Sequence, residues 1–129
     1  MTPLSDPIGD LLTRMRNAQR VRKTNCLAPW SRIKEQLLDL MKKEGLIKEV
    51  ETVGEGIHKN LVVTFLEEKS DLEMKRISKP GRRVYQGSKD LKPILQGFGL
   101  AVITTSQGLM TDKEARENNV GGEVLCTIS

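Results

Sequence analysis

The sequence predicts an α+β protein of two small halves, on three observations. Helical periodicity is confined to the first third of the chain apart from one short capped stretch near the end. Strand-like runs follow it, and the polar stretch EEKSD at 67 to 71 interrupts them once. The expected halves are an N-terminal two-helix, three-stranded α/β half over 1–66 and a C-terminal mostly β half with a short helix over 67–129. A chain of 129 residues can bury a core as one domain or as two very small ones sharing an interface, but not as two full-size domains.

Asp6-Pro7 opens the first helix, with Asp as cap and Pro at the first helical position, where its missing N–H costs nothing. Ile8, Leu11, Leu12 and Met15 fall at i, i+3, i+4 and i+7, so one face is buried. The opposite face collects Thr13, Asn17 and Arg20, flanked by Arg14 and Arg16. Guanidinium forks with neutral donors suit phosphate and sugar. TNCLAP at 24 to 29 reads as a short strand ended by Pro29. Ser31 then caps a second helix with Ile33, Leu37, Leu40 and Met41 on one side, and Gly45 stops it. The runs 46–53 and 57–67 around Gly54-Glu55-Gly56 read as a hairpin, with His58 in its second strand.

After EEKSD, the runs DLEMKRISK and RRVY flank Pro80-Gly81, which suits the centre of a type II turn and predicts a second hairpin. Its tip is strongly basic, with Lys79, Arg82 and Arg83 presented toward an anion. Tyr85 offers a plane and a hydroxyl for stacking on a sugar or base, or else packs half-buried in its strand. SKDLKPILQG at 88 to 97 reads as a short helix or turn. LAVITT then forms a strand that ends in the small polar loop Ser106-Gln107-Gly108. Thr111 and Glu114 make a capping box for a short helix, with Asp112 and Glu114 as its N-terminal charge. A closing strand follows Gly121-Gly122.

Lys plus Arg total 21 against 17 Asp plus Glu, a mild excess; its distribution is more telling. The stretches 11–33 and 74–89 each carry six basic residues and no acid. Such segregation is the footprint of a phosphate-meeting surface, the plainer reading being two solvated faces. Cys26 and Cys126 lie in apolar runs without metal-ligand spacing and read as buried hydrophobes in a reducing compartment. No apolar run approaches a membrane span and no signal-like start is present, so a soluble intracellular protein is expected. With a single His, no phosphate-cradling GxxxxGK[ST] and no nucleophile elbow, no catalytic centre, metal site or cofactor is expected.

The runs TTSQGLMTDKEAR with VGGE, KPGRRVY at 79 to 85 and DPIGDLLTRMRNAQ at 6 to 19 resemble, in one colinear order, the bacterial form of the eighth protein of the small ribosomal subunit. That family's C-terminal signature is commonly Ser-Thr-Ser-Lys-Gly-Val-Met-Thr-Asp followed by Gly-Gly-Glu. The resemblance implies a structural constituent of the small subunit, in the cytoplasm or in an organellar ribosome. It implies a primary binder of the central domain of small-subunit rRNA that stabilises it during assembly. Implied partners are that rRNA, neighbouring small-subunit proteins and, as in some relatives, its own mRNA. By position, the family's groove-reading loop falls on Thr105, Ser106, Gln107 and Gly108, its double glycine and acid on Gly122 and Glu123, and its aromatic on Tyr85. Gln107 stands where the family usually has Lys, which removes a charge, and the last four residues also depart from many relatives. Glu123 would read an amino or hydroxyl group and discourage phosphates. Together with Arg14, Arg16, Asn17, Ser31, Lys79, Arg82 and Arg83, these are the expected RNA-binding residues. A free-standing RNA-binding translational regulator would share every one of these features.

Overall fold

The computed structural model describes residues 6–67, 72–78, 81–87 and 99–129. Two compact units emerge: Asp10–Leu72, and Glu73–Ser129 together with the chain up to Gly9. The expected halves of 1–66 and 67–129 place residues 6–9 with the first half. In the structure they group with the second, where the Arg76 guanidinium donates to the Asp6 carboxylate at 3.1–3.3 Å.

The unit Asp10–Leu72 contains most of α1 (Pro7–Arg20), then β1 (Asn25–Pro29), α2 (Arg32–Lys43), β2 (Ile47–Val53) and β3 (Asn60–Phe65). The strands form an antiparallel sheet in the order β1-β3-β2. Strand alternation places Cys26 opposite Val63 and Ala28 opposite Leu61, all buried. The helices bury Leu11, Leu12, Met15 and Ala18 from α1 and Leu37, Leu38, Leu40 and Met41 from α2. Ser31 caps α2 by accepting from the Lys34 amide, and Gly45 follows the helix at φ +74, a left-handed conformation that favours glycine. His58 is not in a strand: residues Gly56–His58 form one 3-10 turn, closed by bonds from the His58 and Lys59 amides, so β3 begins only at Asn60.

In the other unit β4 (Met74–Arg76), β5 (Tyr85–Gln86), β6 (Leu100–Thr105), β7 (Gly108–Thr111) and β8 (Gly122–Ile128) build an antiparallel sheet, with α3 (Asp112–Glu117) after β7. Strand β8 is central, between β6 on one edge and β4 and β5 on the other. Its inner face packs Ala101, Ile103, Met110 and Val124 with Ala115 of α3. Two expectations fail here. The runs around Pro80-Gly81 do not pair as a hairpin: β4 lies along Cys126–Ile128 and β5 along Gly122–Glu123, successive stretches of one edge. The chain leaves that edge at Ser78, whose amide donates to the Val124 carbonyl, and returns at Val84, whose carbonyl accepts from the Val124 amide. The stretch 88–97 and residues Lys79 and Pro80 lie outside the described residues. Nor is the loop after LAVITT a strand–helix connection. It is the turn of a tight hairpin, because β7 pairs back on β6, from Thr105 opposite Gly108 to Val102 opposite Thr111.

Candidate RNA interface

The β6–β7 turn is fixed by Thr105. Its hydroxyl accepts from the Gln107 amide and donates to the Gly108 carbonyl, both at 3.0 Å, while Gly108 takes φ +108. With Thr105 holding the backbone, Ser106 and Gln107 stand exposed at the tip. Behind them the Gly pair lets the start of β8 come close to its neighbours. A Cβ on Gly122 would collide with the Thr104 carbonyl, and one on Gly121 would lie 2.5 Å from the Gln86 carbonyl oxygen. Three strand ends therefore converge. The register sets Tyr85, Glu123 and Thr104 side by side across β5, β8 and β6, and directly opposed residues share one face of an antiparallel sheet. Tyr85 is 69% exposed, so it does not pack half-buried in its strand.

Glu123 is held from both sides. The hydroxyl of fully buried Ser78 donates to Oε2 at 2.5 Å, and the Arg83 guanidinium donates to the same oxygen at 3.0 Å. Ser78 in turn accepts from the Val84 amide at 3.1 Å, which closes the loop between β4 and β5 at its neck. Burial pushes the Glu123 carboxyl up, but the Ser78 hydroxyl and the Arg83 guanidinium outweigh it and hold it below the ordinary carboxylate value. Glu123 thus organises the basic loop; Ser78 was not identifiable from sequence because its partner lies 45 residues away.

The acid-free blocks divide accordingly. In the second block Arg76 is structural, with its guanidinium on Asp6 and on the Leu125 carbonyl at 2.6 Å. Arg82 and Arg83 are exposed. In the unit Asp10–Leu72, Arg14 and Asn17 are exposed on α1 and Arg16 is half-buried. Arg14 pairs with Asp10 at 2.9 Å and reaches the Leu27 carbonyl at 3.4 Å. The Ser31 hydroxyl is used in capping α2, where it accepts from the Lys34 amide.

Near α3, Thr111 accepts from the Glu114 amide as a cap, and its hydroxyl donates to the Glu114 carboxylate at 3.3 Å. Asp112 is not merely solvated N-terminal charge: it is buried, accepting from the Ala101 amide at 3.1 Å and from Arg116 at 2.9 Å. Both cysteines are free and buried, and burial pushes the Cys126 thiol up to about 12. Among the described residues no cluster of His, Cys, Asp or Glu has the makings of a metal site.

The family model described as Ribosomal protein S8 matches residues 6–129. Similar chains named small ribosomal subunit protein uS8 include one from Microcystis aeruginosa, 46% identical over 129 residues that cover 96% of this chain and 97% of the relative. Another, from Mycoplasmopsis pulmonis, is 44% identical over 132 residues, covering 99% of both chains. A third, from Synechococcus elongatus, is 43% identical over 130 residues, covering 97% of this chain and 98% of the relative.

Proposed function

From the premise that this chain belongs to the ribosomal protein S8 family, a non-enzymatic structural constituent of the small ribosomal subunit, we propose that it is a primary rRNA-binding protein acting on the central domain of small-subunit rRNA. The observation that carries this reading is the convergence of three strand ends at one end of the five-stranded sheet. There an exposed hydroxyl and amide at Ser106 and Gln107 stand at a turn locked by Thr105, near the row that runs through Tyr85 and Glu123. Small donors and acceptors on a rigid turn suit an A-form minor groove, which displays 2′-hydroxyls and base edges. Tyr85 adds an exposed aromatic surface for a sugar or base.

Phosphate attraction comes from Arg82 and Arg83 and, in the other unit, from Arg14, Arg16 and Asn17. These supply affinity without sequence information, while the turn supplies recognition. Gln107 contributes hydrogen bonds without charge. Glu123 acts mainly by aiming Arg83, which refines its expected role as a direct reader of amino groups. An RNA in the protein's own message that copied the rRNA site would meet the same surface. Other small-subunit proteins are its neighbours in the assembled particle.

The test is a paired titration of wild type and Ser106→Ala against the cognate rRNA helix and a regular duplex of equal length, at two salt concentrations. An RNA polar group left unpaired in a desolvated contact costs about 1–3 kcal/mol, a loss of roughly five- to a hundred-and-fifty-fold. The cognate helix should lose this much, the regular duplex almost nothing, and the salt dependence should not change. Equal weakening of both RNAs, or of neither, in a folded variant would show that the turn is not the reader.

A further inference from the structure

Strand alternation gives the three-stranded sheet of the unit Asp10–Leu72 two unlike faces. One carries Cys26, Ala28, Leu61 and Val63, all buried. The register sets the other: Leu27 stands beside Val62 and Glu51 across the three strands, and Pro29 beside Asn60 and Val53 in the next row. A solvated face of an antiparallel sheet ordinarily carries polar side chains. Here four of those six positions are apolar, and Leu27 and Val53 are 54% and 41% exposed. Ile57, in the turn between β2 and β3, is 95% exposed. Single apolar side chains scattered over a surface need no partner, whereas adjacent rows of them mark a contact.

Charge decides the kind of partner. The stretch 49–58 carries Glu49, Glu51 and Glu55 and no Lys or Arg, the reverse of the two acid-free blocks. Lys42 pairs with Glu49 at 2.6 Å, so exposed Glu51, in the row of Leu27 and Val62, is the acid best placed to meet a partner's cation. The third row, Asn25, Thr64 and Glu49, adds no cation and no ring. RNA is therefore a poor fit: its phosphates would be repelled, and its bases would find no aromatic side chain on which to stack. A second copy of the chain, paired face to face, would set acids against acids with no cation on the face to meet them. The geometry points to this face as the seat of a neighbouring small-subunit protein, which lays a segment of apolar residues on Leu27, Val62 and Val53 and sets a lysine or arginine against Glu51. The inference rests on membership of the small subunit and not on which RNA the chain reads.

The experiment replaces Leu27 or, separately, Val53 of the full chain with the photo-crosslinker benzoylphenylalanine, irradiates purified small subunits that contain the variant, and maps the adducts by mass spectrometry. Both positions should capture the same small-subunit protein, within one segment that has apolar residues and more Lys plus Arg than Asp plus Glu. Glu51→Lys in the chain labelled at position 27 should cut that adduct at least about fivefold, because it sets like charges against each other in the contact. All three positions are exposed, and thermal melts of the free variants check that they fold. Adducts with rRNA, with a second copy of the chain or with an acidic segment overturn the inference. So do different proteins at the two positions, no protein adduct at either one, or an adduct that Glu51→Lys leaves undiminished. The Ser106→Ala titration reports on the other unit, so failure here leaves the rRNA-binding reading to stand or fall by its own test.

Discussion

Glu123 shows how a single residue changes meaning between sequence and fold. Sequence marks it as an acid after two glycines in a basic setting, which suggests a direct reader that repels phosphate. The fold gives its Oε2 to Ser78 and Arg83 and buries most of the carboxylate, leaving 13% of the side chain exposed. Its local position was legible, but its role depends on a serine reached only through strand pairing. A measurable consequence concerns pH. The folded carboxyl titrates below its ordinary value of 4.5, so its stabilising contribution is complete above that value and is lost as pH falls through the lower, folded one. Glu123→Gln should therefore be less stable than wild type at neutral pH, and the gap should close as acid is added through and below the carboxylate range. Urea melts of both proteins across that range decide it. A gap of constant size would mean that the charge on Glu123 contributes nothing to holding the loop.

At the scale of elements, regular helices and long strands were legible and the short edge pieces were not. Both long helices announce themselves by an apolar stripe and a cap, Asp6-Pro7 for α1 and Ser31 for α2. Periodicity needs only local residues. Strands β4 and β5 have three and two residues, too few for alternation to reveal a partner, and Pro80-Gly81 between them mimics a hairpin signal. Their partner is set by the free edge of β8, 50–54 residues beyond the positions in β4 and 36–38 beyond those in β5. Strand β7 was hidden for a similar reason, since Gly108–Thr111 reads as the end of a loop leading to a capped helix. The interrupted edge strand is tied at its neck by the Val84 amide on the Ser78 hydroxyl, and the two exposed arginines that follow Gly81 should behave differently. Arg82→Gln should reduce the slope of log affinity against log salt by about 0.7–0.9 of a unit if it meets one phosphate, with no change in the melt. Arg83→Gln should reduce the slope similarly and also lower stability, because Glu123 loses its cation. Salt titrations against the rRNA fragment with parallel thermal melts test both, and unchanged slopes would remove these arginines from the phosphate surface.

At the scale of the whole molecule, the polar stretch EEKSD marks a candidate boundary in the sequence, and the structure holds two sheets, one in each compact unit. The affiliation of the first residues could not be foretold, because it depends on the Asp6 carboxylate meeting Arg76, 70 residues away. Each unit carries one buried thiol, which turns their separate stabilities into something measurable. Cys26 lies on β1, an edge strand bonded on one side only, whereas Cys126 lies on β8, bonded on both sides. Edge elements open in local fluctuations that cost less than global unfolding, while central strands open only with the sheet. Burial also disfavours both thiolates, most strongly at Cys126, whose thiol is pushed up to about 12; the native thiol therefore has almost no nucleophilic form near neutral pH. Alkylation in the native protein should thus be slow at both sites and faster at Cys26. In a urea series followed by mass spectrometry, Cys26 should react at denaturant levels where Cys126 is still protected. Labelling of Cys126 should follow loss of the five-stranded sheet. If the two cysteines react at equal rates throughout the series, β1 does not open independently, and the two units must unfold as one.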